Sequence, residues 1–532
     1  MVASSIDLSR KRHRLRVVVP AFPTFNIYSR IARKTTALGP VYIASAVNEM
    51  ERWDAEVIDE NNLRRYAPRG DRTGADHAVL QRERPADVVG LYGGLTSTIP
   101  RLYEVARFYK DQGVITVAGG QHFAGENVAE ALASGIDYVV LGEGEVTIRE
   151  LLHTLEGQRP VRDVQGIAYL EKGQVVYTPP REPLTEFGTL PQPDFSLVRH
   201  ARIEIYPVER IRGCCMNCEF CMVKGKPRPA PIERLLENIA QLVETHGAKE
   251  FFVVDDLFGQ DREETIRFCE RLSEYQERIG RRLSLTVQIR LDKARDPELL
   301  TAMRKAGIKF VCIGFESPID EELRAMKKHV SADEMMSLVR VFHRFGFIVH
   351  GMFIFGYPAR EDVAPTLSVK ERAGRFKRFI RRARLDTVQI LLPVPLPGTE
   401  LRRRLEQQHR VYPIDTVGWE YYDGNFPLFE PDPPATAQEM QEAVKEIMRG
   451  FYRFHYLFLV GASVLSFPAT MAFSLHNLRP AWAAWYRSWR NRLIRFGGWL
   501  TLRQWALQFR KDEFLDKLHR ARARLMAAQQ RA

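Results

Sequence analysis

Short apolar, β-branched runs separated by helix-length segments recur through most of this 532-residue chain. The runs at 15–21, 55–59, 87–92, 114–118 and 137–141 predict five strands joined by crossovers, hence an α/β domain built on a doubly wound parallel sheet. A second series follows at 203–211, 250–255, 284–289, 309–314, 348–355 and 385–391. Six βα units predict a partial or open (β/α)6 barrel, with chemistry at the carboxyl ends of its strands. The helix predicted over 232–246 shows the pattern: Pro231 opens it, Gly247 closes it, and Ile232, Leu235, Leu236, Ile239, Leu242 and Val243 form one apolar face. Between the two series, the proline-rich stretch 183–194 reads as a semi-extended linker rather than a core element. The expected organisation is a first domain over 12–157, a linker over 158–200, the barrel over 201–432 and a helical, basic, Trp-rich region over 433–532.

Four of the six cysteines lie within eight residues, in Arg212-Gly-Cys-Cys-Met-Asn-Cys-Glu-Phe-Cys221, directly after the first strand of the second series. Cys214, Cys218 and Cys221 are spaced C-x3-C-x2-C. Three thiolates can hold three irons of a 4Fe-4S cube and leave the fourth open to a small molecule that is reduced there. Zinc fits less well, because it prefers four ligands, often as two separated pairs, and adjacent Cys214 and Cys215 cannot readily point at one ion. Cys269 and Cys312 stand singly in apolar stretches, as packed thiols do, and no disulfide framework is implied. Met1 to Arg14 is basic and polar without an apolar core, so it does not read as a secretory signal and a cytoplasmic start is expected.

The cysteine loop resembles the signature of the radical S-adenosylmethionine (SAM) superfamily. Members commonly carry proline where Cys215 stands, and spacing favours Cys214 over Cys215 as the ligand. The first domain resembles the cobalamin-binding domain found ahead of many radical SAM domains, through Gly93-Gly-Leu-Thr-Ser97, Gly119-Gly-Gln-His122 and Gly142-Glu-Gly-Glu145. Each loop alone reads as a turn; the three in this order carry the resemblance. It implies Gly93, Thr96, Ser97, Gly119, Gly120, Gly142, Glu143, Gly144 and Glu145 as cobalamin-binding residues. Cobalamin domains that supply a lower axial ligand carry D-x-H-x-x-G, whereas this chain has Asp59-Glu-Asn61-Asn-Leu-Arg64. The departure implies a weak or absent lower ligand, with His77 and His122 as loop histidines.

Polar residues recur where strands of the second series stop: Asp255 and Asp256, Gln288 and Arg290, Glu316 and Ser317. Bound SAM needs partners for an ammonium, a carboxylate and two ribose hydroxyls; carboxylates suit the first and last, and arginine the second. The resemblance places Asp256 near the methionyl amino group and Glu316 or Ser317 near the ribose or carboxylate. Segments 351–358 and 393–400 look like the family's adenine side and later strand. What it implies as chemistry is an electron passed from the cluster to SAM, a 5'-deoxyadenosyl radical that abstracts hydrogen, and a methyl group delivered from methylcobalamin, with a donor such as flavodoxin or ferredoxin. Radical SAM methylthiotransferases acting on transfer RNA carry three further cysteines ahead of this loop, and this chain has none before Cys214. Anaerobic porphyrin ester cyclases share the two-domain layout, so oxidative ring or bond formation is the alternative outcome. A cobalamin sensor with an inert barrel is a second, disfavoured by the intact cysteine spacing.

The last hundred residues differ in character. Residues 456–475 contain no charged side chain, which is borderline for a bilayer span, and Pro468 with three serines weakens that reading. From Arg479 to Arg524 twelve Lys or Arg face three Asp or Glu, a net +9 of the chain's +12, with five of the seven tryptophans. Trp482, Trp485 and Trp489 fall on one helical face, and Arg487, Arg490, Arg492 and Arg495 are placed to meet lipid phosphates. The expectation is peripheral contact with the inner membrane face, bringing the barrel mouth to a hydrophobic substrate such as a terpenoid lipid. A solvated helical cap is the second reading of this region, and nucleic acid the weakest reading of its charge.

Overall fold

The computed structural model describes residue 6 and residues 9–530, apart from 28, 71–73, 126, 329, 361–366, 474–477 and 510–512. The first sheet contains β1 (His13–Val19), β2 (Trp53–Asp59), β3 (Val88–Tyr92), β4 (Ile115–Gly119), β5 (Tyr138–Val140), β6 (Ile167–Glu171), β7 (Gln174–Tyr177) and β8 (Val198–Arg199), in the order β7-β6-β5-β4-β3-β1-β2-β8. The predicted strands β1 to β5 are parallel. The winding direction reverses at β1, so helices cover both faces and a crevice opens between the carboxyl ends of β1 and β3.

The stretch expected as a linker over 158–200 is a correction. Its first half forms an antiparallel hairpin, β6 and β7, added to β5, and its end adds β8 parallel to β2. Lys172 and Gly173, both at positive φ, make the two-residue turn that matches strand twist, and Ile167 and Ala168 are fully buried. The proline-rich portion does run as loops and short 3-10 turns, and it delivers Phe187 to the interior.

The second sheet contains β9 (Ile205–Val208), β12 (Glu250–Phe258), β13 (Ser284–Ile289), β14 (Ile308–Glu316), β15 (Ile348–Ile354) and β16 (Thr387–Leu391), all parallel and in sequence order; β10 (Ile211–Arg212) and β11 (Arg228–Pro229) pair separately around the cysteine loop. Right-handed crossovers running one way keep every intervening helix on one side of such a sheet. Residues facing the helices, such as Val253, Leu285, Val311 and Val349, have no exposure. Their alternating neighbours Phe252, Thr286, Phe310 and His350 are only half-buried, so the inner face encloses an open lumen. Helix Ile232–His246 has its predicted bounds and ends on Gly247 in the left-handed region.

The uncharged run expected over 456–475 is not one span. It breaks into helices Tyr456–Leu465 and Phe467–Phe473, while Leu475 and His476 lie outside the described residues. No helix among the described residues is long and apolar enough to cross a membrane. The 32-residue helix Leu478–Phe509 packs along the first of these, with Trp485 donating from its indole to Ser463 O at 2.9 Å. Arg492 and Arg495, expected to face lipid, turn inward instead: Arg492 donates to Leu459 O, and Arg495 to Leu385 O at 2.8 Å while covering the Phe451 ring. Arg490 is half-buried beside Asn491, and Arg487 alone of the four is exposed. Asn491 donates to Asp386, the residue before β16. The hairpin therefore sits at the amino ends of the strands, opposite the carboxyl ends that carry the cysteine loop, and does not flank the barrel mouth as expected.

Candidate active site at the domain junction

The lumen is layered by strand register. Phe252, Thr286 and Phe310 align across β12, β13 and β14, and Gln288, Cys312, His350 and Thr387 align in the next layer toward the carboxyl ends. His350 Nδ1 lies 2.8 Å from Thr387 Oγ1. Cys312 thus faces the lumen, and burial pushes its thiol up to about 12; Cys269 is packed in a helix, as expected.

The cysteine loop leaves β10 above this lumen. Gly213 has φ +91, and a side chain there would stand 2.6 Å from Lys226 O, so this turn admits only glycine. The thiols of Cys214, Cys218 and Cys221 lie close enough to feel one another's charge, and burial raises the pKa of Cys214 and Cys221. Cys215 is exposed, its sulfur accepting from Gln260 at 3.0 Å. Among the described residues no three His, Cys, Asp or Glu side chains converge on a single-ion site. Tetrahedral zinc requires such convergence, whereas a cube spreads its ligands over separate corners, so the trio fits a cluster better than one ion.

The predicted SAM residues divide. Asp255 is fully inside the sheet, accepting the N–H groups of Arg210 and Ile211 at 2.5 and 3.0 Å, and burial pushes its carboxyl up to about 7. Asp256 accepts the Gly213 N–H at 2.7 Å, which fixes the turn into Cys214 and leaves its second oxygen without a bonded protein partner among those resolved contacts. Arg290 spans Asp292 at 3.0 Å and the Met216 sulfur in the cysteine loop at 2.9 Å. Gln288 is exposed in the lumen. Glu316, at φ +62, pairs with Lys328 at 3.0 Å; burial opposes the Lys328 charge, but Glu316 and then Cys218 raise its pKa. Ser317 has no exposure, and its hydroxyl is occupied by Glu322 and the Ile319 N–H. Its hydroxyl accepts from the N–H two residues on, which fixes the turn ahead of helix Asp320–Ala325.

In the first domain Gly93, Gly119 and Gly120 bring two loops together at the crevice. Gly93 N–H donates to Gly119 O at 2.7 Å, and a Cβ on Gly120 would lie 2.5 Å from the Gly93 carbonyl carbon. Thr96 and Ser97 are buried at the turn that opens helix Ile99–Asp111, where their hydroxyls suit the amides and phosphate of a large corrinoid. Gly142, at φ +83, has open space around it, so this floor fits a bulky ligand. Asn61 is committed to the chain, donating to Pro20 O at 3.0 Å and accepting the Phe22 N–H at 2.8 Å. His77 is bound between Tyr109 and Glu60. His122 is 1% exposed, against Trp419 at 4.8 Å and near Thr96 and Asn127; burial and then Arg402 depress its pKa to about 3.

Glu143 and Glu145 are turned away from that floor and toward the cysteine loop. Glu143 pairs with Arg228 at 2.7 Å and accepts the Leu184 N–H at 2.7 Å; burial opposes its charge, but Arg228 and Leu184 hold its carboxyl below the ordinary range. Arg212 contacts Glu145 at 2.8 Å and Glu209 at 2.7 Å, sandwiched by the rings of Tyr42 and Phe187. These two carboxylates form an ionic junction between the two domains.

Sequence reasoning missed three further groups. Glu219, between Cys218 and Cys221, is completely buried, with Arg404 at 2.7 Å and the Tyr357 hydroxyl at 2.6 Å, so it ties the loop to the segment after β15 and to the helix Glu400–Gln407. An acid between two cysteines of the C-x3-C-x2-C motif was the available signal. Lys328 had none, and Trp419 lies nearly 300 residues from the His122 ring it covers.

The sequence model of the B12 binding domain matches residues 28–152, and that of the radical SAM superfamily matches residues 208–368. An uncharacterised methyltransferase of Pyrococcus horikoshii is 29% identical over 404 residues, covering 73% of this chain and 82% of that protein. The hopanoid C-2 methylase of Rhodopseudomonas palustris is 28% identical over 285 residues, 52% of this chain and 50% of that protein. Among solved structures, the cobalamin-dependent S-adenosylmethionine radical enzyme OxsB with aqua-cobalamin bound shares the fold at a TM-score of 0.63 and 14% identity, over 97% of this chain and 84% of that one. With both domains matched in this order, the chain belongs to the cobalamin-dependent radical SAM enzymes, whose cofactors are a 4Fe-4S cluster, S-adenosylmethionine and cobalamin.

Proposed function

We propose that this enzyme methylates an unactivated carbon of a small hydrophobic molecule. The observation that carries the reading is the Arg212 junction: the cysteine loop and the last cobalamin-domain loop share ion pairs, so both cofactors would open onto one lumen. When bound, the cluster and SAM supply a 5'-deoxyadenosyl radical and cobalamin supplies the methyl group.

The chain's own residues have separate tasks in this reading. Cys214, Cys218 and Cys221 hold the cluster, and Asp256 and Glu219 fix the loop that presents them. Asp256, through its second oxygen, and Glu316 take the SAM ammonium and ribose, while Arg290 takes the carboxylate. Gly93, Thr96, Ser97, Gly119, Gly120, Gly142 and Gly144 floor the cobalamin crevice. Phe252, Phe310, Met352, Ile354 and Leu391 give the lumen an apolar wall, and Gln288, His350 and Gln389 can orient one polar group. The wall and the likeness to a hopanoid methylase support a terpenoid-like acceptor. Peripheral membrane contact belongs to the same reading.

The test is mass spectrometry of lipid extracts from cells with and without this protein, grown anaerobically on methyl-labelled methionine. A labelled lipid lost on deletion is expected. A lost product lighter than its precursor by hydrogens would replace methylation with oxidative ring or bond formation.

A further inference from the structure

The helical hairpin at the base of the barrel presents a surface that water alone does not explain. On Tyr456–Leu465, Phe458 is 66% and Leu465 83% exposed, with Leu457 and Val464 exposed beside them. On Leu478–Phe509, Trp482, Tyr486 and Leu493 are exposed at helical spacing. Between Glu446 and Asp512 the chain has no carboxylate side chain, yet it has ten Lys or Arg. Exposed apolar side chains gathered on two packed helices mark an interaction site, and the basic charge around them selects an anionic partner.

A second observation adjoins it. At the same end of the barrel a cavity of about 420 Å³ is lined by Arg340, His343, Arg344, Arg382, Arg384 and Arg487, from the carboxyl ends of two barrel helices and from the hairpin. Asp386 is the acid at its edge, and its carboxylate is already taken by His343, the Val349 N–H and Asn491. Five guanidiniums around one space match phosphate groups.

We propose that the base of the barrel docks on an anionic phospholipid bilayer: the apolar faces of Tyr456–Leu465 and Leu478–Phe509 enter the interfacial layer, and the arginine cavity takes a lipid phosphate. The pairing of a shallow apolar face with a basic pocket is the two-signal arrangement that stable peripheral binding requires. The barrel mouth, at the opposite strand ends, then faces away from the bilayer.

The experiment is co-sedimentation of the reconstituted full-length protein with vesicles of phosphatidylcholine alone or mixed with phosphatidylglycerol, at low and high salt. Binding to the mixed vesicles that weakens at high salt, with little binding to the neutral ones, is expected. Phe458→Ser with Leu465→Ser should weaken partitioning roughly tenfold or more, the scale for two apolar side chains kept out of lipid. Arg382→Ala with Arg384→Ala should abolish the preference for anionic vesicles, and both double variants should still cleave SAM because neither touches the lumen. Equal binding to both vesicle types, or unchanged binding by the serine variant, would overturn the proposal. So would self-association in the absence of vesicles that the serine variant abolishes, which would assign the face to a second copy, and so would binding of inorganic pyrophosphate without binding of vesicles.

Discussion

Arg212 Nη2 lies 2.8 Å from Glu145 Oε1, joining the residue two places before the first cluster cysteine to the loop that ends the parallel part of the cobalamin sheet. Burial opposes the guanidinium charge, but Glu209 and Glu145 raise its pKa, so Arg212 stays charged across physiological pH. Glu145→Gln keeps the shape and removes one charge. It should lower methyl transfer more than SAM cleavage, raising the ratio of 5'-deoxyadenosine to methylated product severalfold; an unchanged ratio in quantitative chromatography would show that the domains communicate by another route.

Glu219 is the loop's buried anchor. Glu219→Ala leaves Arg404 without its closest carboxylate, and breaking a buried pair costs about 3–5 kcal/mol. Lower thermal stability of the metal-free protein and reduced iron uptake on reconstitution should appear together.

The cysteines should separate cleanly. Ala variants of Cys214, Cys218 or Cys221 should produce no 5'-deoxyadenosine, while Cys215→Ala, whose exposed sulfur accepts from Gln260, should retain most of it. Activity in any of the first three, measured by chromatography with iron analysis, would reassign the ligand set.

Asn61 is held by Pro20 and Phe22, and His122 by burial under Trp419. Electron paramagnetic resonance of the cobalt(II) form should therefore show no strong nitrogen superhyperfine splitting. Such splitting would mean a nitrogen ligand on cobalt, from a protein side chain or from the cobalamin's own base.

Stability should pass through a maximum near pH 4, because above it two raised carboxylates outweigh one depressed histidine. Burial pushes Asp59 up to about 6 and Asp255 to about 7, above their unfolded values, so the folded state binds more protons and stability falls as pH rises from about 4 to 7. His122, depressed to about 3, acts oppositely: the unfolded state binds the proton between about 3 and 6.5, so stability is lost as pH falls through that window. Asp255→Asn should flatten the alkaline limb in thermal melts and leave the acid limb in place.

The strand series, the helix Ile232–His246 and the cysteine spacing were legible because each is a local signal, set by side-chain period or by reach along a few residues. The β6–β7 hairpin was not: its strands are short, and Leu170 and Tyr177 point to solvent, which blurs the alternation that marks an edge strand. Glu143 and Glu145 read as part of a cofactor loop because their partners, Arg212 and Arg228, lie some 70 to 85 residues away. The inward turn of Arg492 and Arg495 depends on which side of one long helix meets the barrel. A sequence period marks a helix face but does not name its neighbour.

Trp419, Tyr421 and Phe426 lie beyond the last barrel strand, yet they pack on His122 and Phe25 at the crevice of the first domain, and Phe514 packs behind them. Ribosomal synthesis therefore completes the first sheet at about residue 199 but leaves its crevice uncovered until more than two hundred further residues have emerged. The nascent domain carries an open aromatic bed throughout that interval. The first domain excised alone would expose Phe25 and the His122 ring at its crevice and would be a sticky fragment rather than a self-contained module.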